Sequence, residues 1–131
     1  MMMLSVAYFS RPSQVFTDDE LIDLWEISRE NNEKRHVTGA LYFDNRVFFQ
    51  VLEGADEDVL PLLEIIEKDA RHVDFEILVE NDIASPSFRN WPMKFLDGRE
   101  SKRLQNKFDP QALGAMSISQ INSAIFTLVS L

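Results

Sequence analysis

The sequence contains no cysteine. That excludes disulfides, thiolate nucleophiles, zinc-thiolate sites and any cofactor chemistry that proceeds through a cysteine adduct. Long hydrophobic runs are missing as well: no window approaches the ~18 apolar residues of a membrane span. The N-terminal MMMLSVAYFS lacks the basic region and apolar stretch of a signal peptide, so a cytoplasmic location is expected. Positive charge is scarce, with 13 Lys and Arg against 22 Asp and Glu and a net charge of −9. Phosphate binding needs a concentrated positive surface, which makes nucleic acid and an anionic membrane poor partners. Histidines number 2, His36 and His72. Neither has a cysteine or a placed serine to complete a catalytic triad, and two histidines in unrelated loops make no metal site. Glycines number 4. An acylphosphatase-like hydrolase would need a glycine phosphate cradle and an arginine after the first strand; Arg11 is present, but RPSQ holds no glycine. The acids of EGADEDV lack calcium-loop spacing and read as the first turn of a helix.

What is present is an ordinary globular composition. The 131 residues, 45% hydrophobic and 27% charged, make one domain with a real core. LSVAYFS (4–10) reads as a first strand, punctuated by the proline of RPSQ. Thr17 and Glu20 form a capping box that opens a helix, whose apolar positions Leu21, Leu24, Trp25 and Ile27 keep helical spacing to about Asn32. VTGALYF (37–43) and RVFFQVLE (46–53) flank the turn Asp44-Asn45 as a hairpin. A second helix runs from about Asp56 to Asp69, interrupted by Pro61, with Val59, Leu62, Leu63, Ile65 and Ile66 as its buried stripe. FEILVE (75–80) is a strand with Glu76 and Glu80 facing water, and WPMKFL (91–96) a short edge strand.

The order βαββαββ predicts an α+β, ferredoxin-like mixed sheet with both helices on one face. Val47, Phe49 and Val51 make the other face apolar and in need of cover. Helices after Asp97, the last with Ile118, Ile121, Ile125 and Leu128 on one side, or a second subunit, are expected to supply it.

Within VFFQVLEG, Gln50 is an amide among side chains that satisfy none of its hydrogen bonds. An unpaired buried amide costs roughly 1–3 kcal/mol. The strand period of two puts Gln50 with Phe48 and Leu52 on the helix-covered face, where Leu4, Val6 and Tyr8 also point. Tyr8 and Gln50 then turn their polar ends toward the gap between the helices. Asn31 and Asn32 bring two more amides there, and Ser28, one turn earlier, shares the side of Asn32. Such a cluster is either a satisfied internal network or the lining of a cavity for a flat heterocycle rich in carbonyl and N–H groups, clamped by Leu24 and Ile66.

Five segments carry a family resemblance: SVAYFSR, LWEISRENN, VTGALYFDNRVFFQVLEG, IEKDARH and SFRNWPMKF, in order from Ser5 to Phe95. They resemble the BLUF domain, a family of blue-light sensors that use FAD. The resemblance implies that Tyr8 donates an electron to the excited flavin and that Gln50 bridges Tyr8 and the N5/O4 edge of the ring. It implies Asn32 at the O4 side, Asn31 at the O2/N3 side, and Arg71 with His72 at the pyrimidine edge or cofactor side chain, Asp69 belonging to the same motif. Trp91 and Met93 are implied relays that approach Gln50 in alternation. As structural roles, Arg71 and His72 also suit a helix C-terminal cap.

Glu30 stands where family members often carry a basic or neutral residue, and no basic cluster specifies the diphosphate, so FMN or riboflavin are alternative occupants to FAD. The resemblance implies a non-enzymatic flavin-binding domain over 1–97; it fades after Phe95, and the helix-compatible pattern beyond gives a helical extension over 98–131, expected to serve capping, dimerisation or output. The expected partners are the flavin, a second copy of the chain in a homodimer or larger oligomer, and a downstream protein effector. A cofactor-free protein-interaction domain of the same fold is the rival reading. An RNA-binding module, which would expose Phe49 and Tyr42 amid basic residues, is opposed by the charge.

Overall fold

The computed structural model describes residues 3–99. The elements are β1 (Met3–Pro12), α1 (Asp18–Lys34), β2 (Thr38–Phe43), β3 (Phe48–Gly54), α2 (Asp56–Glu67), β4 (His72–Ile83) and β5 (Lys94–Asp97). The βαββαββ order and α+β class are as the sequence predicts. The strands form one sheet in the order β4-β1-β3-β2-β5, antiparallel except for the parallel pairing of β2 with β5.

Local chemistry sets the elements. The Thr17 hydroxyl accepts from the Glu20 amide while the Glu20 carboxylate accepts from the Thr17 amide, the reciprocal box that starts α1. Asp18, Asp19 and Glu20 lie in the first turn of α1 and Asp56, Glu57 and Asp58 in that of α2, where the helix dipole favours negative charge. At the hairpin, the Asp44 carboxylate accepts from the amides of Arg46 and Val47, and Asn45 takes a positive φ of 74°. Pro61 sits inside α2 on its exposed side, so the helix continues past it.

Alternation divides the sheet into two faces. Leu4, Val6, Tyr8, Leu41, Phe43, Phe48 and Leu52 join α1 and α2 residues in the main core, so both helices pack on one face. Ala7, Phe49 and Val51 form a second cluster on the other face, with Phe88 packed on it. The connection from β4 to β5 joins opposite edges of the sheet and crosses that second face, which is how Phe88 reaches Phe49 and Val51. The helices expected after Asp97, and the cover they would give this face, fall outside the described residues.

Three details differ from the sequence reading. β4 is twice the expected length, because as an edge strand it buries little and its run of polar residues carries no alternation. β5 begins at Lys94 rather than Trp91, since the Trp91 amide is held in a turn by the Phe88 carbonyl at 3.0 Å. Ile65, expected in the buried stripe of α2, is 53% exposed, because the helix turns that position toward the gap between the helices rather than onto the sheet. Ile66 is partly buried against the core.

Candidate functional site

A cleft of about 110 Å³ opens between the two helices above the centre of the sheet. Since roughly 15 Å³ already admits a water, the cleft has room for more than a single solvent molecule. Its floor is the row formed by Tyr8 of β1, Gln50 of β3 and Leu41 of β2, which are direct cross-strand partners, together with Phe48. One wall comes from α1 through Leu24, Ile27, Ser28, Asn31 and Asn32. The facing wall comes from α2 through Leu62, Ile65 and Ile66, and Asp69, Arg71 and His72 close one end.

The buried Gln50 amide has partners on both sides. Its side-chain oxygen accepts a hydrogen bond from the Tyr8 hydroxyl, and its amide nitrogen donates to the Met93 sulfur at 3.7 Å. A thioether is a weak acceptor, so the donor side of this buried amide has capacity left for a better one. The Tyr8 ring lies against Phe75 with centroids 4.6 Å apart. Burial, with the negative charge of Asp69 added to it, pushes the Tyr8 phenol well above its usual value, so the group is neutral at any ordinary pH.

Asn32 is buried, and its amide donates to the Pro92 carbonyl at 2.7 Å; Asn31 is exposed at the mouth. The His72 ring bonds the Ile66 carbonyl at 2.5 Å through Nε2 and the Ser10 hydroxyl at 2.6 Å through Nδ1. Because a carbonyl only accepts, Nε2 carries the hydrogen, and His72 caps the last turn of α2 as its sequence position allows. Arg71 instead turns to Asp69, donating to it from Nε and from Nη2 at 2.5 Å.

These bonds from the guanidinium, aided by the Arg71 amide and charge, outweigh partial burial and hold the Asp69 carboxyl below the usual carboxylate range. A depressed folded-state value stabilises the fold above the unfolded carboxylate value, about 3.9, and that contribution is lost as pH falls through the folded value. Asp69→Asn is therefore expected to lower the melting temperature by more at pH 7 than at pH 3. Thermal melts at the two pH values check this; an equal deficit at both would overturn it.

Every residue that the sequence assigned to cofactor contact, Tyr8, Leu24, Ser28, Asn31, Asn32, Phe48, Gln50, Ile66, Asp69, Arg71 and His72, lines this one cleft. Of the two expected relays, Met93 is buried and touches Gln50. Trp91 stands apart from the cleft, its ring 4.4 Å from the Lys94 ammonium. Sequence reasoning missed Leu41, Ile27, Leu62 and Ile65 in the lining, which apolar periodicity alone does not separate from core. It also missed Trp25, whose indole N–H donates to the Met93 carbonyl at 3.0 Å.

Among the described residues no helix is long and apolar enough to cross a membrane, and no group of three His, Asp or Glu could hold a metal. The photoactivated adenylate cyclase subunit alpha of Euglena gracilis is 32% identical over 74 residues, which are 56% of this chain and 7% of that protein. The chain thus spans under a tenth of this relative. Among solved structures, a bacterial light-regulated adenylyl cyclase superposes with a TM-score of 0.74 at 30% identity, covering 96% of this chain and 36% of its own. BlsA in its photo-activated state gives 0.72 at 26% identity, covering 98% and 95%. The family model for BLUF, sensors of blue light using FAD, matches residues 3–94. With the cleft, the sheet order and this match in agreement, the chain belongs to the BLUF family, whose members bind FAD and sense blue light.

Proposed function

We propose that this chain is a blue-light photoreceptor that binds FAD non-covalently in the cleft and signals through a hydrogen-bond switch at Gln50. The observation that carries this reading is the bond from Tyr8 to Gln50 on the cleft floor, with the amide's donor side facing only a sulfur. The donor set fits a flavin ring. Its carbonyl oxygens need N–H donors, which Gln50, Asn31, Asn32 and Arg71 can supply, and its ring N–H needs an amide oxygen, which the asparagines also have. Leu24 and Ile66 offer an apolar surface from each helix to the ring faces, and Phe48 and Ser28 complete the floor and wall. Asp69 and His72 then hold Arg71 and the end of α2 in place. FMN or riboflavin would meet the same ring contacts.

A bound flavin supplies absorption of blue light and, in its excited state, a strong one-electron oxidant. Tyr8 is the electron source. A neutral phenol that gives up an electron becomes a strong acid, and the Gln50 oxygen already accepts its hydrogen bond, so the Tyr8 proton can pass through the amide toward the ring, the amide giving up an N–H proton on its other side. When electron and proton return to Tyr8, the Gln50 amide is left rotated or tautomerised and donates differently to the ring edge. Met93, in contact with the amide nitrogen, registers that change, with Trp91 as the second relay. A stronger hydrogen bond at a ring carbonyl lowers the transition energy, so the signalling state absorbs slightly to the red.

In this reading residues 1–97 are the sensor, without catalysis of their own, and 98–131 carry output to a downstream effector protein or to a second copy of the chain. A signal of that kind requires that the dark and lit states bind the partner with different affinity. The test is the visible spectrum of the purified chain in darkness and under blue light. A flavin band that moves to the red and relaxes in the dark is expected. A colourless chain that takes up no added FAD would overturn the reading and leave an interaction domain.

A further inference from the structure

Gln50 is not the one polar residue of β3. Glu53, three positions on, is 2% exposed and points to the opposite face of the sheet. Its carboxylate accepts three hydrogen bonds: from the Ser87 amide at 2.7 Å, the Phe88 amide at 2.9 Å and the Thr38 hydroxyl at 3.1 Å. Two consecutive amides aimed at one carboxylate are the open N-terminal end of the turn that closes with the Trp91 amide on the Phe88 carbonyl. An apolar residue at position 53 would fill the space but take the carboxylate acceptor away from both amides.

From this anchor the chain runs back toward the cleft. The Trp91 carbonyl accepts from the Gly39 amide at 3.2 Å, the Pro92 carbonyl from Asn32 at 2.7 Å, and the Met93 carbonyl from Trp25 at 3.0 Å. Met93 then meets Gln50. The segment from Ser87 to Met93 therefore touches both faces of the sheet: Phe88 and the Glu53 carboxylate on the far side, the Gln50 amide on the cleft side. Among the described residues, Glu53 is the charged side chain that fixes its far end.

We propose that Glu53 is a positioning residue which, by clamping the amides of Ser87 and Phe88, holds Met93 in place against Gln50 and so sets how readily the switched amide returns. This rests on the sensor reading above. For the Gln50 amide to turn back, Met93 must yield, and a segment clamped at its far end yields slowly. Releasing the clamp speeds the return.

The test uses the full chain carrying its flavin, with Glu53→Gln as the variant. A carboxamide keeps the volume but turns an N–H toward one of the two backbone donors. The expected result has three parts: an unchanged dark flavin band, amide exchange at Ser87 and Phe88 at least tenfold faster, and dark recovery at least threefold faster. If Glu53→Gln does not fold, Glu53→Asp, which keeps the charge on an arm one methylene shorter, carries the same expectations. Faster exchange with unaltered recovery overturns the proposal, because Glu53 would then only hold a loop; unaltered exchange overturns it directly. An unmodified chain with no photoshift sinks the sensor reading and this proposal with it, and is told apart because it fails before any variant is made.

Discussion

Tyr8→Phe is expected to give a folded, flavin-coloured protein that no longer answers blue light. The Tyr8 ring is 3% exposed and rests on Phe75, and phenylalanine preserves both the burial and that contact. What disappears is the hydroxyl that donates to Gln50. The orphaned amide oxygen costs about 1–3 kcal/mol, against a total stability of roughly 5–15 kcal/mol for a domain, so the fold survives. The residues proposed to grip the ring, Asn31, Asn32 and Arg71, are untouched, and the flavin band should persist. The light-minus-dark shift should fall to zero, since phenylalanine offers neither a low-cost electron nor a proton. Difference spectra before and after illumination decide it, and a normal shift in this variant would sink the mechanism.

The largest loss of stability is expected from Gly39→Ala. Gly39 faces Leu52 across the β2–β3 ladder, and its φ is not positive, so glycine is not required there by backbone conformation. Space requires it: a Cβ would lie 2.0 Å from the Val51 carbonyl oxygen, 3.0 Å from its carbon and 3.4 Å from the Leu52 Cα. All three are backbone atoms of a central strand, which no rotamer change can move. Overpacking that side chains can relieve costs about 1–3 kcal/mol; here the strands themselves must part, so about 3 kcal/mol is a lower bound. At roughly 3–6 °C per kcal/mol for a domain of this size, the melting temperature should fall by about 10 °C or more in a circular dichroism melt. The Gly39 amide also holds the Trp91 carbonyl, so the photoshift of any folded fraction should recover abnormally. A melt unchanged from that of the unmodified chain would show that β2 has room to shift.

The parts of the fold legible in the sequence are those where local chemistry and burial agree. Thr17 and Glu20 announce α1, Asp44-Asn45 announces the hairpin, and the strict alternation of Leu4, Val6 and Tyr8 announces β1. β4 is half hidden because its pairing with β1 shifts register after Ala7 and again after Phe9, and because an edge strand need not alternate. The cleft lining was legible through the family resemblance and, independently, through Gln50 standing out in an apolar strand. The same logic applied to VFFQVLEG once more would have found Glu53, an acid in a strand every described residue of which is buried. At the strand end, next to Gly54, an acid carries no sign of burial from residue type alone. Which of Trp91 and Met93 faces Gln50 is set by hydrogen bonds from α1 and β2 to carbonyls at 91–93, a long-range arrangement to which residue types give no clue.

Tyr8 and Gln50 are cross-strand partners in the two innermost antiparallel strands, locked there by ladders on both sides. The backbone beneath them is hydrogen-bonded along both edges, so in the proposed switch the free energy that light leaves behind is confined to the bonding pattern of one amide. Such a store amounts to one or two hydrogen bonds, about 1–3 kcal/mol, and no partner can be biased by more than the store contains. The gain of this device is thereby capped at roughly 5–150-fold in partner affinity. A physiological response steeper than that would have to be amplified downstream, by cooperativity among copies or by the effector itself.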